Sequence, residues 1–268
     1  MSLDVDDLHI EIRGRTVVDG VGFSLAAGAR LGLIGESGSG KSLTALAVLG
    51  LLPAGSRVTG SIRLDGRELV GRRDADLAAI RGKRVGIVLQ EPATALNPIR
   101  RVGAQIGESL RIHYGFSRRQ AHERAVRLAE RVHLPDPEGI LHRYPHELSG
   151  GQRQRVAIAV AIATGPRLII ADEPTTALDV TVQAGILELF DREVAESGAA
   201  LLFITHDLAV LARIVTRAVV LAGGRVVETG AVADLLAAPA HPVTAALAEA
   251  AYATSFTGEP SVAPGSRS

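Results

Sequence analysis

The sequence predicts an α/β core interrupted by a helical insertion at about residues 91–165, and three observations carry that prediction. Leu168–Ala171 and Leu201–Thr205 are short apolar runs bounded by polar residues, the pattern of strands buried on both faces of a parallel sheet. Residues 3–34 alternate β-like runs (Leu8–Ile12, Val21–Leu25, Arg30–Ile34) with polar or glycine breaks, and Lys41–Leu51 then reads as a helix. From Glu91 to about Arg143 the pattern turns helical. In Arg118–His133 the residues Ala125, Leu128, Ala129 and Val132 fall at i, i+3, i+4 and i+7, one face of a helix.

The other elements follow from turn chemistry and periodicity. Ser61–Leu64 and Arg67–Leu69 flank Asp65-Gly66, a strong two-residue hairpin signal. Val85–Leu89 reads as a strand and Arg153–Ala163 as an apolar helix. Val219–Leu221 and Val226–Glu228 flank Gly223-Gly224 as another hairpin. The arginines of Arg118–His133 lie mostly opposite its apolar stripe, as on a solvated face. One domain is expected over residues 1–257. The tail, 258–268, is mostly Gly, Pro and Ser with little to bury, so disorder is expected there.

Composition narrows the function classes. Lysine plus arginine equals aspartate plus glutamate, so no global field favours nucleic acid or acidic lipid. The absence of cysteine excludes disulfides, thiolate zinc sites and iron–sulfur clusters. The first residues are acidic and lack the basic and apolar regions of a signal peptide. Apolar stretches such as Ala45–Leu52 and Val156–Ala163 are too short for a membrane span, so a cytosolic chain is expected unless something holds it at a membrane. Lysine occurs only at Lys41 and Lys83. A chain that otherwise uses arginine but keeps a lysine inside a glycine loop points to a need for it there.

That loop is Gly35, Glu36, Ser37, Gly38, Ser39, Gly40, Lys41 and Ser42, with Leu43 counted alongside. It fits G-x-x-x-x-G-K-[ST] between a predicted strand and helix. Its glycines let backbone N–H groups surround phosphates at a positive helix end. Lys41 would pair with the β- and γ-phosphates of a bound nucleotide, and the Ser42 hydroxyl would join a Mg²⁺ shell. Farther on, an apolar strand ends in Asp172 and Glu173, at the sheet edge where open α/β folds bind ligands. Asp172 would hold Mg²⁺ through water, and Glu173 is the candidate base for an attacking water. Two acids at a strand end also read as a solvated turn. His206 follows Leu201–Thr205 to the same edge, where it either bonds a γ-phosphate or is a polar cap.

Ser149-Gly150-Gly151-Gln152 precedes the apolar helix, with Ser149 a good N-cap and the glycines exposing N–H groups. Alone this would be an unremarkable cap, yet it makes a second anion-binding device in one chain. The ordered set GESGSGKS, Gln90, LSGGQ, LIIADE, ALD and His206 resembles an ATP-binding cassette (ABC) ATPase. The resemblance implies a P-loop NTPase core with an N-terminal antiparallel β subdomain and an inserted α-helical subdomain. It implies a head-to-tail dimer in which Ser149, Gly150, Gly151 and Gln152 of one subunit cover the ATP of the other. Gln90 then resembles the glutamine that senses Mg²⁺ and γ-phosphate. Ala177-Leu178-Asp179 resembles the segment whose Asp179 links the two sites.

Longer stretches narrow the likeness. GESGSGKSLTALAVLGLLP, QEPATALNP, YPHELSGGQRQRVAIA, ADEPTTALDVTVQA, FITHDLAV and His241-Pro242-Val243-Thr244 are similar to the peptide and nickel importer branch. The implied function is an ATPase that drives solute import at the cytoplasmic face of the inner membrane. Di- or oligopeptides are the expected solute, with nickel or another small solute as the alternative. The implied partners are a second ATPase, two transmembrane permease subunits and, indirectly, an extracytoplasmic solute-binding protein. A paralogous chain is preferred as the second ATPase, and a homodimer is the alternative. No nucleic acid partner is implied, since coiled-coil arms, zinc cysteines and a second cassette are all missing. Two departures stand out. No aromatic occurs at Ile12-Arg13-Gly14-Arg15, where the family stacks one on adenine, so weaker selectivity is expected in a competition between ATP and GTP. Val243 replaces the branch's tyrosine, and the cysteine-bearing extension common after it is not seen, so any role of that extension is expected to be missing.

Overall fold

The computed structural model describes residues 1–176 and 178–256. Ala177 and the tail 258–268 therefore lie outside the described residues. The chain opens with an antiparallel hairpin, β1 (Leu3–Ile12) and β2 (Arg15–Leu25). Both turn residues, Arg13 and Gly14, have positive φ, the form that matches the twist of the strands. β3 (Arg30–Gly35) leads through the glycine loop into α1 (Lys41–Leu49). That helix stops short of the predicted Leu51 because Gly50 takes a left-handed conformation. The Gly50 and Leu51 amides bond back to Ala47 and Leu46, closing the last turn.

β4 (Ser56–Leu64) and β5 (Arg67–Glu68) turn at Asp65-Gly66 as the dipeptide predicts. α2 (Asp74–Ala78) and β6 (Val85–Val88) follow. Six α-helices then intervene before the next strand, with a short 3-10 turn at Pro145–Glu147 before the last. They are α3 (Pro92–Ala95), α4 (Val102–Ile106), α5 (Glu108–Tyr114), α6 (Arg118–Arg131), α7 (Pro137–Leu141) and α8 (Gly150–Ile162). β7 (Leu168–Asp172), α9 (Val180–Ser197), β8 (Ala200–Thr205) and α10 (Leu208–Ala212) return to the core. β9 (Arg217–Ala222), β10 (Arg225–Ala231), α11 (Val232–Ala237) and α12 (Pro242–Phe256) end it.

The strands form two sheets. An antiparallel sheet has the order β2-β1-β4-β5 and a larger one the order β10-β9-β3-β8-β7-β6. In the larger sheet only β10 runs antiparallel. Its central strands β3, β8 and β7 are mostly apolar and buried because both faces are covered, and the pleat sends alternate residues to opposite layers. Leu202 and Ile204 of β8 join Leu33 and Ile170 in the layer shared with the antiparallel sheet. Leu201 and Phe203 join Ile169, Ile186 and Phe190 in the layer under the helices. Phe203 meets Phe190 edge-on, with ring centroids 5.9 Å apart, the favoured aromatic geometry.

α6 shows how the inserted helices pack. A capping box between Ser117 and Gln120 starts it, and Ala121, Ala125, Leu128 and Ala129 form its buried stripe. Arg118, Arg119 and Arg127 are exposed, as a solvated face predicts. Arg131 departs from that face. It reaches α9, with Nε 2.6 Å from Oε1 of Glu193 and Nη2 3.1 Å from Glu196. Arg192 of α9 answers with a 2.6 Å bond to the Arg131 carbonyl. The joint fixes the end of α6 to the core.

Candidate functional site

The parallel strands deliver the predicted residues to one edge. β3 ends at the glycine loop, β7 at Asp172 and Glu173, and β8 just before His206. Gln90 follows β6 on the far side of β7. A cleft of about 170 Å³ is lined by Ser37, Gly38, Gly40, Lys41, Ser42, Leu43, Gln90 and Glu173. A larger cleft of about 500 Å³, between β5 and α2, contains none of the predicted residues.

Close packing shapes the loop. A Cβ at Gly35 would lie 2.1 Å from the Leu221 carbonyl oxygen of β9, so a side chain there would push the loop off the sheet. Lys41 is only 4% exposed. Its Nζ donates at 2.8 Å to the carbonyls of Gly35 and Glu36, which folds the ammonium back over the loop. Burial lowers the Lys41 pKa, and the Glu173 and Asp172 carboxylates offset this only in part. No side chain caps the first turn of α1, so its N–H groups remain to bind an anion. The Ser39 hydroxyl is buried without a partner among the described residues. Both features suit a phosphate chain.

Asp172 is 4% exposed, and its Oδ1 accepts a 2.9 Å hydrogen bond from the Ser42 hydroxyl. Burial raises its carboxyl pKa. Ser42 and Lys41 pull against that rise while the charge of Glu173 adds to it. Glu173 sits at φ +46°, an uncommon conformation for a non-glycine residue and one found at functional sites. Three donors meet its Oε2: Gln90 Nε2 at 3.2 Å, Thr176 Oγ1 at 2.9 Å and His206 Nδ1 at 3.1 Å. A charged acceptor with several donors at one oxygen is strongly oriented.

Ser149, Gly150, Gly151 and Gln152 line none of this cleft. They begin α8, where Ser149 and Gln152 form a capping box. Gly151 abuts α9, since a Cβ there would lie 2.8 Å from Cγ1 of Val182. Asp179 caps α9 by accepting from the Val182 amide. Within one chain the structure thus gathers Gln90, Asp172, Glu173 and His206 around the glycine loop. It leaves Ser149, Gly150, Gly151, Gln152 and Asp179 as a separate group. Ile12 ends β1 and Arg13 stands in the β1–β2 turn. Sequence reasoning missed Thr176. The signal was its i+3 spacing from Glu173 across a proline, which predicts a turn that brings the two together.

Fold and site together define an ATP-binding cassette, an ATPase of the P-loop class. Residues 18–176 match the family model described as ABC transporter. The chain is 46% identical over 251 residues to a probable peptide ABC transporter ATP-binding protein of Sinorhizobium fredii, covering 91% of this chain and 75% of that one. It is 45% identical over 255 residues to a probable D,D-dipeptide transport ATP-binding protein of Escherichia coli K12, covering 93% and 78%. A dimeric cassette solved in a post-hydrolysis state with ADP and Pi superposes with a TM-score of 0.76 at 26% identity, over 86% of this chain and 98% of that one. A component of an ABC transporter complex from Clostridium perfringens gives 0.74 at 25%, over 88% and 90%. The chain belongs to the ABC transporter family and is an ATP-binding, ATP-hydrolysing subunit. Among the described residues no helix is long and apolar enough to cross a membrane.

Proposed function

We propose that this chain powers import of di- or oligopeptides, working as one half of an ATPase dimer beneath two transmembrane permease subunits at the cytoplasmic membrane. The observation that carries the reading is the convergence of Lys41, Ser42, Asp172, Glu173, Gln90 and His206 on one edge of the parallel sheet. The names of relatives at 43–46% identity support peptides as the solute.

The loop amides and Lys41 hold the β- and γ-phosphates of ATP. Among the described residues no three His, Asp or Glu side chains gather as a ready metal cluster. Ser42, Asp172 and Gln90 instead offer a few oxygen donors beside the phosphate loop, the sparse hard-donor set that suits Mg²⁺ completed by water and phosphate. When bound, Mg²⁺ would neutralise charge building on the phosphate oxygens. Glu173 accepts a proton from water as the water oxygen bonds to the γ-phosphorus and the bond to the bridging oxygen breaks, releasing ADP. His206 lies within reach of Glu173 and steadies the γ-phosphate. Ser149, Gly151 and the α8 N-terminus cover the partner's nucleotide, and Asp179 carries the state of one site to the other. Closing and opening of the dimer would then shift the permease between its two accessible states.

The test is affinity isolation of tagged Glu173→Gln chain, with ATP, from detergent-solubilised native membranes. Two membrane subunits, a second ATPase and a peptide-binding protein should co-purify. Recovery of only soluble proteins or nucleic acid would overturn the transport reading.

A further inference from the structure

Of the three donors at Glu173 Oε2, two arrive from distant strands. Gln90 follows β6 and opens the inserted helices, and His206 follows β8. Any movement of the helices against the core moves Gln90 relative to Glu173. Thr176 differs because it is tied to Glu173 by the backbone. Pro174 follows Glu173, and the Thr176 amide bonds back to the Glu173 carbonyl at 3.3 Å, closing a four-residue turn with proline at its favoured second position. The Glu173 amide is itself held by the Ile204 carbonyl at 2.9 Å. The 2.9 Å bond from Thr176 Oγ1 to Oε2 is therefore the shortest of the three and part of one rigid turn. Among the described residues no donor reaches Oε1.

We propose that Thr176 is a positioning residue for hydrolysis: its hydroxyl locks Oε2 of Glu173, so that Oε1 is the oxygen presented to the attacking water. The inference rests on Glu173 being the base. The turn keeps that orientation while Gln90 and His206 make and break their contacts through the cycle. Glu173 is 7% exposed at φ +46°, and a carboxylate so placed has few rotamers that satisfy it. Removing the fixed donor lets it rotate toward Gln90 or Lys41 and away from the water.

The experiment compares steady-state ATPase activity of the full chain with Thr176→Val, Thr176→Ser and each change in a Glu173→Gln background. Thr176→Val should lower kcat by about ten- to a hundredfold, the span of a hydrogen bond to a charged group, with KM and ATP affinity within about twofold of the parent. Thr176→Ser restores the hydroxyl and should return kcat to within about threefold. In the Glu173→Gln background Thr176→Val should have no further effect, the non-additivity of residues acting through one group. Wild-type kcat in Thr176→Val, or failure of serine to rescue a folded, ATP-binding chain, overturns the proposal. If Glu173→Gln itself hydrolyses ATP normally, the assignment of the base falls first. If Glu173→Gln is inactive while Thr176→Val is fully active, only the role of Thr176 falls.

Discussion

Lys41 and Asp172 place opposite charges where both are shielded from water, and their shifts have a measurable consequence. The Asp172 pKa is raised mainly by burial, so the folded chain holds that proton more tightly than the unfolded chain. The associated stability is present at low pH and lost as pH rises through the folded value. Asp172→Asn removes the charge while keeping an oxygen for the Ser42 hydroxyl. Without nucleotide it should therefore melt higher than wild type at mildly alkaline pH, by about 2–4 °C for each kcal/mol relieved. The advantage should close as the solution is acidified below the raised pKa. The variant should gain less than wild type from added Mg²⁺ and ATP. Melting curves across the pH range check both points, and an Asp172→Asn chain that melts below wild type at alkaline pH contradicts the sign.

At the scale of elements, α6 divides what was legible from what was not. Its buried stripe was readable because Ala125, Leu128, Ala129 and Val132 repeat with the helical period. Its arginines were readable only as a group. Nothing local separates Arg131 from Arg127, yet Arg131 covers the carboxylate of Glu193, which is 3% exposed and sixty-two residues away. Hydrogen bonding to Glu193 holds the guanidinium pKa up. Arg131→Ala leaves a buried carboxylate without its partner, and after allowance for the partly exposed arginine it should cost about 1–3 kcal/mol. Glu193→Leu in the same chain should recover most of that loss, as replacing both partners usually does. Urea unfolding of the single and double variants measures it; equal loss in both would mean the joint acts through packing rather than charge.

For the whole molecule, the two anion-binding devices do not meet within one chain. The glycine loop lines the cleft with Glu173, whereas Ser149 and Gly151 begin α8 beside Val182 and the Asp179 cap. The head-to-tail pairing proposed above would give each device its complement. With ATP, the Glu173→Gln chain, alone or mixed with the partner ATPase, should elute as a dimer in gel filtration. Adding Ser149→Arg should return it to monomer without weakening nucleotide binding in its own loop. A double variant that dimerises as readily as the single one would argue against Ser149 and the α8 N-terminus as the dimer contact.

The sequence by itself determined most of the parallel sheet, the hairpins and the phosphate loop, because these depend on local periodicity, turn chemistry and residues close in the chain. It also marked Asp172, Glu173 and His206 as strand-end residues. Only the tertiary structure decided which of them touch. The meeting of Gln90 and His206 at one oxygen of Glu173 depends on the order β3-β8-β7-β6, which no local pattern encodes. The same holds for Arg131 and Glu193. The physical reason is that strand order and helix docking are set by burying apolar layers shared among distant segments, and polar contacts between those segments follow from that packing.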